Sequence, residues 1–239
     1  MPKIMICSGA GLSAESGIAT FRDSGGLWEN HKIEEVCDIT TFEANYIKVN
    51  EFYDARRKQL ASVVPNDAHN KIAELTKKFE VINFTTNVDD LLERAGCEDV
   101  KHIHGFLPEV VHRYGTGMTE IVNVGHNDSQ FDVLDLYPVK PNVVFFGEHA
   151  PMYEDLHNAL TDLQKEDLLI VVGSSEQVVD FVSTARYLCK FEGRIHFVNK
   201  DFDLGMNKQI NEFCQSFNMS ATDYFNDMDF DALMEVDGE

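Results

Sequence analysis

Three groups of residues in this chain have types and spacings suited to chemistry. Gly9, Gly11 and Ala14 follow the apolar residues Ile4, Met5 and Ile6 in the order G-x-G-x-x-A. In such a loop the first glycine turns tightly, the second lets backbone approach a phosphate, and the alanine lets helix and strand pack closely. Amide N–H groups at the start of the following helix then face the anion. The pattern normally comes with an acid at the end of the next strand, roughly 20 residues on, and no clear second strand stands there. His102 and His104 alternate on one strand face. Imidazole titrates near neutrality and suits general-base work, although a single histidine more often serves structure. Tyr53 and Arg56, three apart on a helix, share a face. A guanidinium can grip a carboxylate bidentately while a phenol adds a donor; the plainer alternative is a packed tyrosine and a surface arginine.

Strands and helices must position these groups. Apolar runs predict strands over 4–6, 79–84, 101–105, 142–146, 168–172 and 194–198. Helical spacing predicts a helix capped at Thr40 or Thr41 and ending near 63, and a second capped by Asp67 with Ala68, Ile72 and Leu75 inward. Further helices are expected over about 88–95, stopped by Gly96, and over 153–164 and 177–191, with the remainder mostly helical. Residues 109–114 and 118–124 flank a glycine-rich turn and read as a hairpin; 125–141 is polar and irregular. Strands alternating with helices predict an α/β fold, a doubly wound, mostly parallel sheet with the hairpin as a small inserted lobe.

Composition narrows the function. With 239 residues, 44% of them hydrophobic, one domain can bury a full core. No apolar run approaches bilayer length and the N-terminus enters a strand without a signal pattern, so an intracellular, cytoplasmic protein with no membrane partner is expected. The net charge of −21 disfavours nucleic acid as a partner and repels an anionic substrate unless a local cation receives it. The segment 220–239 carries acids and no base, the composition of a solvated helix and tail. Five scattered cysteines without a C-x-x-C pair predict free thiols in a reducing compartment.

Beyond the glycines, residues 9–28 read GAG-x-SAESGI-x-TFRD-x-GGLW. This stretch resembles the signature of the sirtuins, NAD-dependent protein deacylases, and later segments follow the family's order through about residue 200. The resemblance implies a single Rossmann-like domain over 1–239, its large part at about 1–35, 75–104 and 142–239 and its insertions at about 36–74 and 105–141. It implies NAD as cosubstrate, with Gly9, Ala10, Gly11 and Ser13 at the phosphates. Ala14, Ile18, Phe21 and Arg22 would belong to a loop over the nicotinamide end, Arg22 linking cofactor to catalysis, with Thr20 and Trp28 also binding the cofactor. Thr85-Thr86-Asn87-Val88-Asp89 resembles T-Q-N-[IV]-D, so Asn87 and Asp89 would hold nicotinamide and its ribose. Thr86 replaces the family's glutamine and is too short for the same reach.

His104-Gly105 resembles the catalytic His-Gly, with His104 as general base for a ribose hydroxyl after the acyl-lysine oxygen displaces nicotinamide. Residues 143–148, VVFFGE, resemble the segment against which the substrate peptide lies, implicating Val144, Phe146, Gly147 and Glu148. Pairing of an extended peptide to an open backbone edge would accept many sequences. Gly173-Ser174-Ser175 resembles the G-[TS]-S cofactor loop, but the apolar-proline portion that follows in the family is replaced by Val179-Asp180. Asn199 and Lys200 fall at the adenosine-ribose position. Residues 51–57, EFYDARR, resemble the helix of members that remove succinyl and malonyl groups, with Tyr53 and Arg56 as acyl ligands.

Most sirtuins bind a structural zinc through two cysteine pairs between the His-Gly and F-G-E segments. Residues 105–146 contain no cysteine, and no close ligand pair has helpful spacing, so no zinc is expected. The expected substrate is an acylated-lysine protein or peptide, and the oligomeric state expected is a monomer. The resemblance leaves two rivals, an NAD glycohydrolase or ADP-ribosyltransferase on the same fold and a non-catalytic NAD-binding protein.

Overall fold

A computed structural model describes residues 2–18, 27–28, 31–113, 117–132, 139–200 and 213–235, with 27–28 as backbone only. The strands are β1 (Lys3–Ser8), β2 (Leu27–Trp28), β3 (His31–Lys32), β4 (Glu80–Thr85), β5 (Lys101–His102), β6 (Gly105–Arg113), β7 (Thr119–Asn123), β8 (Val139–Val143), β9 (Leu168–Val172), β10 (Arg194–Val198) and β11 (Gln215–Phe217). Six form one parallel sheet in the order β11-β10-β9-β1-β4-β5. Its central strands are buried on both faces, as parallel sheets require. Side-chain alternation sends Ile4 and Ile6 into one apolar cluster with Ile72 and Tyr224, and Met5 and Cys7 into another with Leu160 and Phe181. The second sheet is antiparallel, order β7-β6-β8, and packs with the helix Tyr46–Ser62 around a third cluster containing Phe52, Tyr53, Val143 and Phe145. The large parallel sheet and small antiparallel lobe match the expected class.

Several boundaries differ from the sequence reading, each for a local reason. Thr40 and Thr41 do not cap the long helix. Their hydroxyls bond Asp38 and the Glu34 carbonyl, forming turns that delay the helix until Tyr46. Asn66, not Asp67, caps the helix Asp67–Leu75, in a reciprocal box with His69. The helix expected from 88 begins only at Leu91, because the Asp89 carboxylate takes the Leu91 amide. Gly96 ends it in the left-handed region, as expected. The strand expected over 142–146 is β8, which lies in the small sheet and ends as the chain turns to pair with 37–39. The helix expected over 177–191 is reduced to Phe181–Ser183 and one wide π-type turn, Thr184–Leu188. The mostly helical remainder contains an extra strand, β11, before the helices Ala221–Asp227 and Phe230–Met234. Among the described residues no helix is long and apolar enough to cross a membrane.

Candidate active site

The order of the large sheet reverses between β1 and β9: β4 and β5 extend it on one side, β10 and β11 on the other. Loops leaving the carboxyl ends of β1 and β9 therefore diverge, opening the crevice in which open α/β sheets bind ligands. The two loops are seated on each other. Gly9 N–H donates to the Val172 carbonyl and Gly11 N–H to that of Gly173, both at 3.0 Å. Gly173 has φ +62°, and a Cβ there would fall 2.4 Å from the Leu12 nitrogen. Gly11 thus lets backbone meet backbone, a use the phosphate-loop reading did not include. The helix expected to open at these glycines is two one-turn 3₁₀ segments, Ala10–Leu12 and Ala14–Ser16. Thr20, Phe21, Arg22 and the Trp28 side chain lie outside the described residues; Ile18 packs beside the third core cluster and Ala14 is exposed.

Ser13 is the hub between this loop and the 85–89 motif. Its buried hydroxyl donates to Asp89 Oδ2 at 2.9 Å and accepts from Asn87 Nδ2 at 3.1 Å. Asn87 Nδ2 also reaches the Gly9 carbonyl, and Asn66 Nδ2 holds that of Leu12. Burial raises the Asp89 carboxyl, opposed by the Leu91 amide and the Ser13 hydroxyl. His69 stands 3.5 Å from Ser13, and burial pushes it down to about 4, so it is neutral. The Thr86 hydroxyl turns back to the Ser8 carbonyl at 3.3 Å, consistent with its lost reach. On the other side of the crevice Asn199 Nδ2 donates to the Ser174 carbonyl at 2.7 Å, joining β10 to the β9 loop, and Lys200 is exposed beyond it. Ser175 is half-buried in that loop.

Glu176 explains how the β9 loop closes without the family's proline. Its Oε1 accepts from the Ser174 hydroxyl at 2.8 Å and its Oε2 from the Val182 amide at 2.9 Å, while Asp180 caps Ser183. Burial, with the neighbouring Asp180 adding to it, pushes the Glu176 carboxyl up to about 8 against those two donors. The folded protein therefore keeps a proton that the unfolded chain releases near 4.5. This group costs stability progressively as pH climbs from about 4.5 to about 8, and the full cost stands above that. Glu176→Gln should accordingly raise stability by on the order of 1–3 kcal/mol at pH 8 and leave it near wild type at pH 4.5, read from melting curves across pH. A wild-type pH dependence unchanged by the substitution would count against this assignment. Sequence offered only the missing proline as a signal here.

The two histidines separate clearly. His104, in the turn between β5 and β6, donates from its ring to the Thr86 carbonyl, while burial pulls its pKa down. One nitrogen is thus pinned as a donor and the other carries a lone pair at neutral pH. Gly105 has φ +86°, and a Cβ there would fall 2.2 Å from the Asn142 carbonyl oxygen, which is why glycine follows the histidine. His102 instead bridges the Asn87 carbonyl at 2.8 Å and Glu93 at 2.7 Å.

In the segment 143–148, the backbone donors of 144–146 are already taken. Val144 N–H donates to His104, Phe145 N–H to Glu148 and Phe146 N–H to Cys37, so none of the three remains as a donor for an incoming strand. Glu148 is also paired with buried Lys140 at 2.9 Å, and the Lys140 ammonium lies 3.9 Å over the Phe145 ring. Phe146 projects outward, 47% exposed, beside Gly147. Tyr53 is fully buried and stacked on Phe145 at 5.7 Å; burial pushes its pKa up, so its hydroxyl keeps its proton. Arg56 is half-buried with its guanidinium 5.3 Å over Phe52. Its neighbour Arg57 is wholly buried, paired with Asp54, and bonds the carbonyls of Leu107 and Asn127. Asp54 in turn holds Ser129. Helix and lobe are thereby tied through a buried ion pair that the sequence reading missed; an F-Y-x-x-R-R pattern does not tell which arginine faces inward.

The chain is similar to known proteins over most of its length. A family model described as the Sir2 family matches residues 9–180. An NAD-dependent protein deacylase of Campylobacter jejuni is 48% identical over 181 residues, covering 75% of this chain and 76% of that protein. One from Helicobacter pylori strain J99 is 41% identical over 224 residues, covering 89% and 90%. Among solved structures, a Sir2 homologue–NAD complex superposes with a TM-score of 0.77 at 29% identity, over 94% of this chain and 87% of that one. An ADP-ribose complex of a Sir2 homologue mutant gives 0.79 at the same identity, over 94% and 89%.

Proposed function

Because the chain belongs to the Sir2 family, we propose that it is an NAD-dependent protein-lysine deacylase whose Arg56 admits acidic acyl groups. The observation that carries this reading is the hydrogen-bonded cluster of Ser13, Asn87 and Asp89 at the carboxyl ends of β1 and β4, with His104 bonded to the carbonyl of Thr86, the residue before Asn87. NAD supplies an electrophilic ribose carbon once nicotinamide departs. Asn87 and Asp89 orient the nicotinamide end, and His104 takes a ribose hydroxyl proton on its unpinned nitrogen. The two glycine loops, with Ser174 and Asn199, hold the phosphates and adenosine ribose. Phe146 and Gly147 meet the peptide, and Glu148 fixes their turn through Lys140 and the Phe145 amide.

Acyl selection rests on Arg56, half-buried on the helix beside Phe52 in a protein of net charge −21. Tyr53, three residues earlier on the same helix, adds its hydroxyl by turning out of its buried position. Arg56→Met should lower kcat/KM on a succinyl-lysine peptide by roughly tenfold or more, since a hydrogen bond to charge contributes about 1.5–3 kcal/mol. Acetyl-lysine activity should stay near wild type, with products followed by mass spectrometry. Equal losses on both peptides would remove the acyl argument, and nicotinamide release that ignores the peptide would favour a glycohydrolase. The small lobe's donor set does not fit a structural zinc: residues 105–146 lack cysteine, and among the described residues no group of three or more His, Cys, Asp or Glu is placed to hold a metal. All five cysteines are free thiols, in keeping with a reducing cytoplasm.

A further inference from the structure

His102 plays no part in the reaction as described, yet it is the most tightly held imidazole beside the site. Its ring is nearly buried, 10% exposed, and tilts against Phe106 at 4.6 Å. Both of its partners are acceptors. The Asn87 carbonyl can only accept, so the 2.8 Å contact makes Nδ1 a donor; Nε2 lies 2.7 Å from a Glu93 carboxyl oxygen, and with the shared proton on the ring it donates as well. Two donors make an imidazolium. We propose that His102 is a positioning residue that works as a charged clamp, holding the Asn87 carbonyl and the ionised form of Asp89 in place for the nicotinamide end of NAD.

The clamp rests on the deacylase reading only for what it positions; the charge rests on the two ring contacts together with the raised pKa of this histidine. The charged groups facing His102 are Glu93, on the helix Leu91–Ala95, and Asp89, just before it; Phe106 on β6 is uncharged. Burial works against the charge, but Glu93, the Asn87 carbonyl and Asp89 together raise the pKa of this histidine. In return its charge lowers that of Asp89. His104, two residues on, is moved the opposite way by burial. Neighbouring groups whose environments drive their pKa values apart take opposite protonation states at one pH. The site would then be competent between the two titrations, with His104 free of its proton and His102 still holding one.

The test is the pH profile of kcat/KM for NAD in the whole protein. Wild type should give a bell, its acid limb below the ordinary histidine value and its alkaline limb above it. His102→Gln should lose the alkaline limb and lower kcat/KM by about tenfold or more, the scale of a lost charge-assisted bond. Glu93→Gln keeps an acceptor for Nε2 but removes the countercharge. It should move the alkaline limb to lower pH by about one unit or more while regaining wild-type activity on the acid side of that limb, a rescue that structural damage would not give. Wild-type activity with an unshifted alkaline limb in either variant overturns the clamp. Should His102→Gln fail to fold, NMR titration of labelled histidines in the wild type and Glu93→Gln decides: a His102 pKa at or below the ordinary value overturns it. Wild-type protein that releases no nicotinamide would sink the deacylase reading, while the NMR titration, needing no substrate, would still judge the imidazolium.

Discussion

Replacing His104 with Ala should lower kcat on acyl-lysine peptide by roughly 10²–10⁴-fold, the range for a positioned general base. The KM for NAD should change little, because His104 bonds the Thr86 carbonyl and not the loops assigned to the phosphates. Single-turnover measurement of nicotinamide release sharpens the result. Loss of the base should spare the first bond cleavage and block the later proton transfer, so nicotinamide exchange should outlast product formation. Burial has already lowered the pKa of this histidine. Wild-type activity should thus persist below pH 6.5 and fall away as the proton returns to the ring. A variant that makes product at the wild-type rate would take the base role from His104.

The second large effect concerns the seat between the loops. Gly173→Ala must place a Cβ 2.4 Å from the Leu12 nitrogen and 2.7 Å from two Gly11 atoms, all backbone, at φ +62°. The left-handed conformation alone costs roughly 1–2 kcal/mol for an L residue. Displacing backbone adds overpacking of typically 1–3 kcal/mol. A loss of about 2–5 kcal/mol is therefore expected in chemical denaturation, with NAD affinity reduced further because the two loops proposed to hold the cofactor shift together. Gly96→Ala is the matching control. It also has positive φ, at 106°, but nothing lies within 4 Å of the added Cβ. Its cost should be the conformational part only. Equal losses at the two glycines would mean that the loops are not seated as described.

The contrast between those glycines shows how far local sequence carries. Gly96 was legible as a helix stop, because stopping a helix needs only a residue tolerant of the left-handed region. Gly11 stood out in the sequence as a loop glycine, but its contact with Gly173 did not; the two are brought together by the pairing of β1 with β9, in which Ile4 meets Leu168. His102 and His104 looked alike in alternation, and the family motif singled out the second. What the first does depended on Glu93 and the Asn87 carbonyl arriving from another turn of the chain. Likewise Tyr53 and Arg56 share a helix, but only packing revealed that the tyrosine lies beneath Phe145 while Arg56 keeps partial exposure. The Lys140–Glu148 pair had no signal in periodicity at all.

Sequence alone therefore determined the class of fold, the cosubstrate and the chemical types at the site, since strand periodicity, turn residues and a dense motif are local properties. Its net charge of −21 also means that any anionic substrate would need a local cation, which follows from charge counting. The tertiary structure decided which of these residues meet, which protons they hold and which backbone donors are already taken. Protonation and close approach depend on burial and on partners distant in sequence. Those are fixed only when the reversal at β1 and β9 brings the loops together.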